Sequence, residues 1–179
     1  HGMVYNTLLK ALKIPTVIIT DLDIKRTEDE KKTYKQISKL TERETTNQTI
    51  IHYNANGKDI ENVPQYFKDD NIYIAFQNKV GYYYATSFEE AFVASNSHNE
   101  IVNKVLKKLK PDIYKEIVGD PENMFNNKKN SFKWQCKLAS AKSDFSNEIL
   151  YCLLTTEGSI PSLPKYIQDG LEYLESALE

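Results

Sequence analysis

The hydrophobic and polar positions of this chain change their spacing from one segment to the next. Apolar residues recur at helical spacing in residues 3–13, and a continuous apolar run follows at Val17-Ile18-Ile19. The run is rich in β-branched residues, which predicts a strand, to about Leu22, buried on both faces as in a parallel sheet. Two more strands are predicted at 72–76 and 82–85, and residues 77–81 between them predict a hairpin turn.

Helical spacing dominates the rest of the chain. The strongly charged segment 24–45 predicts an exposed loop with a short helix, and Thr45-Thr46-Asn47 is a favourable N-cap cluster for a helix through Tyr53. Further helices are predicted to start at Ser87 and to span 99–118 with a break at Pro111, 131–140, 143–155 and 164–178, with a loop at 123–130. This order predicts an α/β fold with a core in 1–100 and a helical C-terminal half in 101–179.

Composition places the chain among ordinary globular proteins. Its 179 residues are 40% hydrophobic and 27% charged, which suffices for a substantial core. No apolar stretch approaches the roughly 20 residues that span a bilayer, so we expect no membrane partner. Cys136 and Cys152 fit no metal-ligand or disulfide spacing, and we expect two buried thiols in a reducing, cytoplasmic compartment.

Charge is unevenly distributed along the chain. Residues 101–142 hold ten lysines and four acids, a local charge of +6, although the whole chain carries −2. Such a basic segment can follow the phosphates of a nucleic acid. Lysine runs are more often solvated helix faces, and that interpretation stays open.

Two carboxylates, Asp21 and Asp23, follow the first predicted strand. Alternate strand residues point to the same side, so we expect the two to converge where open α/β sheets place their sites. Two ionised carboxylates repel each other unless a cation lies between them, and a hard divalent ion such as Mg²⁺ fits this donor pair. The alternative is that the pair only ends the strand and caps the next turn.

Three later residues are candidates for the same chemistry. Ser87 and Glu90 have capping-box spacing, which leaves Glu89 as a candidate third acidic ligand, with Glu90 as the second choice and a solvated helix acid as the alternative. Lys142 precedes a predicted helix start at Ser143, where a lysine can meet developing phosphoryl charge, although most such lysines are ordinary surface residues. The sequence contains no Gly-rich P-loop for ATP.

Five collinear segments together resemble the Toprim domain of OLD-family (overcoming lysogenisation defect) nucleases and cover most of the chain. The first is the Asp-x-Asp strand, and the second resembles the family's Thr-Ser/Thr-Asn segment. The others resemble its Ser-x-acid helix start, its Lys-x-x-Phe-Ala segment and its Pro-x-Tyr-Ile-x-x-Gly-Leu-x-Trp-Leu helix. The segments are residues 14–23, 45–50, 87–92, 142–146 and 164–174, with Tyr173 where tryptophan is common.

The resemblance implies a DNA endonuclease or nickase that uses two Mg²⁺ or Mn²⁺ ions, one to activate water and one to stabilise the leaving oxygen. By motif, Asp21, Asp23 and Glu89 are metal ligands, Ser87 is a further catalytic-site residue and Lys142 is the transition-state cation. The family joins this nuclease to an N-terminal ABC-type ATPase and is similar to the nuclease subunit of Gabija-type anti-phage systems. Expected partners are DNA, that ATPase domain, a second copy in a homodimer and a helicase-like protein.

One feature departs from the family pattern. A Toprim domain begins with a strand that ends in a glutamate, and nothing before Asp21 supplies this residue. The resemblance therefore implies that this glutamate lies upstream of His1, that the parallel sheet is partial and that the metal site is incomplete. We expect the chain alone to bind divalent metal weakly and to cut DNA poorly or not at all.

Two alternative functions fit the same residues. A haloacid-dehalogenase-like phosphatase would use Asp21 as nucleophile and Asp23 as acid/base, but it requires Thr or Val at the position of Lys25. Its later acidic pair would be Asp69-Asp70, which precedes the lysine instead of following it. A non-catalytic Toprim module for dimerisation or DNA docking would depend on the basic segment 101–142 instead.

Overall fold

The computed structural model describes residues 2–155 and 158–179. Its helices are α1 Asn6–Leu12, α2 Glu28–Lys32, α3 Gln48–Tyr53, α4 Phe88–Ser95, α5 Glu100–Leu109, α6 Pro111–Ile117, α7 Asn126–Lys129, α8 Ser131–Leu138, α9 Lys142–Thr155 and α10 Lys165–Leu178, with short 3₁₀ segments at Gly2–Tyr5 and Pro121–Asn123. Its strands are β1 Thr16–Ile19, β2 Tyr66–Asp69, β3 Ile72–Ala75, β4 Lys79–Val80 and β5 Tyr83–Tyr84.

The chain folds into two compact units that interleave along the sequence. Unit 1 comprises His1–Glu28, Ile37–Phe88 and Pro164–Glu179, and unit 2 comprises Asp29–Gln36 and Glu89–Leu163. Helix α10, at the C-terminal end of the chain, packs on β1 and β3 of unit 1.

Unit 1 is built on a three-stranded sheet of order β1-β3-β2. β1 runs parallel to β3, from Thr16 opposite Ile72 to Ile19 opposite Ala75, and β2 runs antiparallel to β3. The predicted α/β class is confirmed, but the sheet is mixed because β2, which was not predicted, adds an antiparallel strand.

The predicted hairpin between 72–76 and 82–85 is wrong. Both edges of β3 are already paired, so the second segment cannot join it. Residues 83–84 form β5 instead and pair with β4 in a separate two-stranded ribbon.

The core of unit 1 explains why β3 is central. All four residues of β3 are buried, as a strand covered on both faces requires. Ile72 and Ile74 pack in a cluster with Leu22 and Phe76. Segment 24–45, predicted to be exposed, also contributes, because Ile24, Ile37 and Leu40 are buried in this cluster.

Helix α10 approaches the sheet closely at Gly170. A Cβ atom at this position would lie 3.0 Å from Cγ1 of Val17 and 3.5 Å from Cβ of Ala75. One turn further on, the ring of Tyr173 stacks on Tyr73 with centroids 5.0 Å apart. Burial raises the pKa of Tyr73 to about 12, as expected for a phenol packed against this helix.

Unit 2 is helical and packs around Trp134, which is fully buried. The indole Nε1 of Trp134 donates to Oδ1 of Asn127, and Nδ2 of Asn127 donates to Oδ1 of Asn103, so these buried polar groups satisfy one another. The break at Pro111 is confirmed as the boundary between α5 and α6. Residues 123–130, predicted as loop, include the short helix α7.

The two cysteines differ in exposure. Cys152 is buried as predicted, whereas Cys136 is exposed. Cys136 lies two residues from both Trp134 and Leu138, which form the buried side of α8, so it points to the other side of the helix.

No helix within the described ranges is both long and apolar enough to cross a membrane.

We predict that Gly170→Leu lowers the free energy of unfolding by about 2 kcal/mol, because a side chain here collides with Val17 and Ala75. Leucine is a better helix former than glycine by about 1 kcal/mol, so helix propensity alone acts in the opposite direction. Chemical denaturation measures the change. The matched control Glu172→Leu lies at an exposed position of α10 and should be nearly neutral. A Gly170→Leu protein as stable as the parent would contradict this packing.

Candidate functional site

The backbone between the two candidate carboxylates is fixed by buried side chains. We call Asp21-Leu22-Asp23 the acidic loop. The side chain of Leu22 is fully buried, its N–H donates to Oε1 of Gln77, and its carbonyl oxygen accepts a 2.6 Å hydrogen bond from Oγ1 of Thr45. Both polar groups of the Leu22 backbone thus bond to side chains distant in sequence, which holds the acidic loop in one conformation.

The acidic loop is not part of a strand. β1 ends at Ile19, and Asp23 has a left-handed backbone with φ of 47°. The strand alternation from which we expected Asp21 and Asp23 to converge therefore does not apply, because regular pairing with β3 stops before them. Their directions are set by hydrogen bonds from other segments instead.

The carboxylate of Asp21 receives two N–H donors on the same oxygen. Its Oδ1 accepts from Nε2 of Gln77 at 2.6 Å and from the backbone N of Phe88 at 3.1 Å. Phe88 is the first residue of α4, where backbone N–H groups have no intrahelical partner and favour negative charge. Both donors stabilise the ionised carboxylate.

Asn47 joins the acidic loop to α3. Its Oδ1 accepts from the backbone N of Thr49 and Ile50, which confirms the predicted N-cap cluster. Its Nδ2 lies 2.6 Å from the carbonyl oxygen of Asp21 and 3.3 Å from Oδ2 of Asp23. One side chain therefore caps the helix and contacts both acidic residues.

Ser87 lies in a segment that contacts both ends of the acidic loop. The carbonyl oxygen of Thr86 accepts from the backbone N of Asp23, and the N–H of Phe88 bonds to Asp21. Ser87 itself is buried between these two residues. In unit 1 the structure thus brings three predicted site residues, Asp21, Asp23 and Ser87, to one place.

The other two predicted residues meet in unit 2. Nζ of Lys142 lies 2.9 Å from Oε1 of Glu89, although 52 residues separate them in the chain. The side chain of Glu89 is 13% exposed and that of Lys142 is 50% exposed, so the lysine stays reachable from solvent. Lys142 is the first residue of α9 and does not precede the helix as predicted. Glu90, the second choice for the ligand, is fully buried.

The donor chemistry of the acidic loop suits a hard divalent cation. Carboxylate oxygens are the ligands that Mg²⁺ takes in proteins, and the N–H donors on Asp21 resemble the supporting hydrogen bonds that orient metal ligands. Within residues 2–155 and 158–179, no three His, Cys, Asp or Glu side chains are grouped closely enough to hold a metal ion. The metal site and the role of each residue stay predictions.

Gln77 and Thr45, which bond to the backbone of Leu22, were not predicted as site residues. Thr45 is the first residue of segment 45–50, one of the five segments that resemble the family. That resemblance was the signal in the sequence that could have identified it. Gln77 lay in a predicted turn, and nothing in its local sequence marks it.

The chain is similar over its whole length to a bacterial endonuclease. It is 52% identical over 180 residues to "Endonuclease GajA" of Bacillus cereus (strain HuB5-5), in an alignment that covers 100% of this chain and 26% of that protein. The chain therefore spans about a quarter of the length of this relative. No protein-family model and no solved structure matches the chain.

We predict that Asn47→Ala lowers the free energy of unfolding by about 1–2 kcal/mol, because the cap of α3 and the contacts to the acidic loop are lost together. Thermal and chemical unfolding measure the change. Asn62→Ala, at an exposed position of the same unit, is the control and should change stability by less than about 0.5 kcal/mol. Equal stability of the two variants would show that Asn47 does not hold this region.

Proposed function

We propose that this chain is the Toprim portion of a metal-dependent DNA endonuclease of the OLD family, acting in phage defence as a Gabija-type nuclease. The observation that carries the proposal is its 52% identity, over its full length, to a protein named as an endonuclease. The acidic loop supports it, because Asp21 and Asp23 form part of one hydrogen-bonded network with the segment around Ser87.

Each residue has a distinct role in this proposal. Two divalent ions, when bound, would activate a water molecule and stabilise the leaving oxygen of the phosphodiester. Asp21 and Asp23 supply carboxylate oxygens from the acidic loop, and Glu89 is the third acidic ligand that the motif assigns. Lys142 would place its ammonium group against the phosphate charge. Its 2.9 Å contact with Glu89 orients this group before substrate binds. Ser87 is assigned to the site because its neighbours Thr86 and Phe88 bond to Asp23 and Asp21.

The remaining parts of the proposal concern the larger protein. The relative is about four times as long as this chain, which is consistent with an additional ABC-type ATPase domain. We further propose a homodimer and a helicase-like partner in the cytoplasm. The 179 residues alone are then expected to bind metal weakly and to nick DNA poorly.

We predict that supercoiled plasmid is nicked in MgCl₂ or MnCl₂, and not in EDTA, by the full-length product of the gene that encodes this chain. Asp21→Ala and Lys142→Ala should each lower the nicking rate by about 100-fold or more, because a metal ligand or the stabilising cation is lost. Asp120→Ala and Lys39→Ala change exposed residues of the same types, the lysine outside the basic segment 101–142, and should retain the parental rate.

Three outcomes would contradict the proposal. Nicking that persists in EDTA or in Asp21→Ala excludes this metal site. Salt-dependent DNA binding without nicking, unchanged when Asp21 and Asp23 are both replaced by alanine, indicates a docking module instead. Release of phosphate from small esters, with a phosphoryl group trapped on Asp21, indicates a phosphatase.

A further inference from the structure

Gln77 is a fully buried polar side chain next to the candidate site. Its exposed fraction is 0%, and it lies two residues after the end of β3. Burying an amide is costly unless its donors and acceptor are paired. Here Oε1 accepts from the backbone N of Leu22, and Nε2 donates to Oδ1 of Asp21 at 2.6 Å and to the hydroxyl of Tyr166 at 3.1 Å. Both amide hydrogens therefore have an acceptor.

These partners permit only one orientation of the amide. If the group rotated by 180°, Oε1 would face the carboxylate of Asp21, and Nε2 would face the N–H of Leu22. Both contacts would be repulsive, because like partial charges would meet in a buried site. The N–H of Gln77 is therefore held towards Asp21, and with the N–H of Phe88 on the same oxygen it fixes the rotation of the carboxylate.

The third partner of Gln77 belongs to the C-terminal helix. Tyr166 is 4% exposed and lies one turn before Gly170, so both residues lie on the face of α10 that meets the sheet. The close approach at Gly170 brings the helix near enough for the hydroxyl of Tyr166 to accept from Gln77. The Pro-x-Tyr-Ile-x-x-Gly-Leu segment, to which the proposed chemistry assigns no role, thus reaches Asp21 through one intervening side chain.

We propose that Gln77, held by Tyr166, is a positioning residue that orients the carboxylate of Asp21 for a divalent cation. The inference rests on the proposed function, since Asp21 must be a metal ligand for its orientation to matter. Hydrogen bonds from neighbouring side chains typically set the orientation and affinity of metal ligands. A neutral amide can do this without adding a negative charge beside Asp21.

The test is Mn²⁺ binding to the full-length gene product. Binding is measured by the loss of the free Mn²⁺ signal in electron paramagnetic resonance. Binding that disappears in Asp21→Ala defines the relevant site. Gln77→Met keeps the size of the side chain but removes the donor, and it should weaken that binding about tenfold. Ile51→Val is the control, because it shortens a buried side chain of unit 1 that lies outside the hydrophobic cluster of Leu22, and it should leave the affinity unchanged.

The outcomes separate this inference from the proposed function. If Mn²⁺ binds in an Asp21-dependent manner and Gln77→Met binds it equally well, Gln77 has no positioning role. If no Asp21-dependent binding occurs in the parent, the proposed metal site itself fails, and the positioning role fails with it. If Gln77→Met weakens binding no more than Ile51→Val does, the effect is one of stability.

A second measurement applies even if Gln77→Met does not fold. The side-chain amide of Gln77 gives nuclear magnetic resonance signals that report its hydrogen bonds directly. Asp21→Ala removes one acceptor and Tyr166→Phe removes the other, so each should shift one amide proton of Gln77. Unchanged Gln77 signals in Asp21→Ala would overturn the inference.

Discussion

The candidate site depends on the two hydrogen bonds that clamp the backbone of Leu22. The N–H bonds to Gln77 and the carbonyl oxygen accepts from Thr45, while the leucine side chain is fully buried in the core of unit 1. Hydrogen bonds in a buried setting are costly to leave unmade, so the acidic loop cannot relax without exposing unpaired polar groups. This constraint fixes the backbone between two carboxylates, Asp21 and Asp23, on either side of Leu22.

The sheet and the C-terminal helix support this clamp. β3 is buried on both faces and leads directly into Gln77, and α10 packs against β1 and β3 where Gly170 leaves room. A change in the position of α10 on the sheet would therefore alter the hydrogen bond between the hydroxyl of Tyr166 and Gln77. The fold and the site are thus connected by packing in unit 1. In unit 2 the ion pair of Glu89 and Lys142 stands on separate helices, α4 and α9.

Local features of the structure were predictable from sequence, whereas long-range pairings were not. Asn47 was predicted as a cap because its effect is confined to the next three residues, and Pro111 was predicted to break a helix because proline lacks an N–H. The strand β2 was missed because Tyr66-Phe67-Lys68-Asp69 is short and partly charged, as an edge strand permits. Gln77 was missed because its partners lie 55, 56 and 89 residues away, and no local pattern encodes them. The roles of Asp21, Asp23, Glu89 and Lys142 were inferred from carboxylate spacing and helix starts as well as from the resemblance, that of Ser87 from the resemblance alone, and all of them stay predictions.

The acidic loop, fixed at Leu22, is proposed to present Asp21 and Asp23 to a divalent cation. A crystal structure of the protein grown with MnCl₂, with data collected at a wavelength where manganese scatters anomalously, tests it most directly. We expect an anomalous peak within bonding distance of carboxylate oxygens of both residues, with the N–H of Gln77 still donating to Asp21. A peak elsewhere, or an acidic loop without bound manganese at saturating concentration, would contradict it.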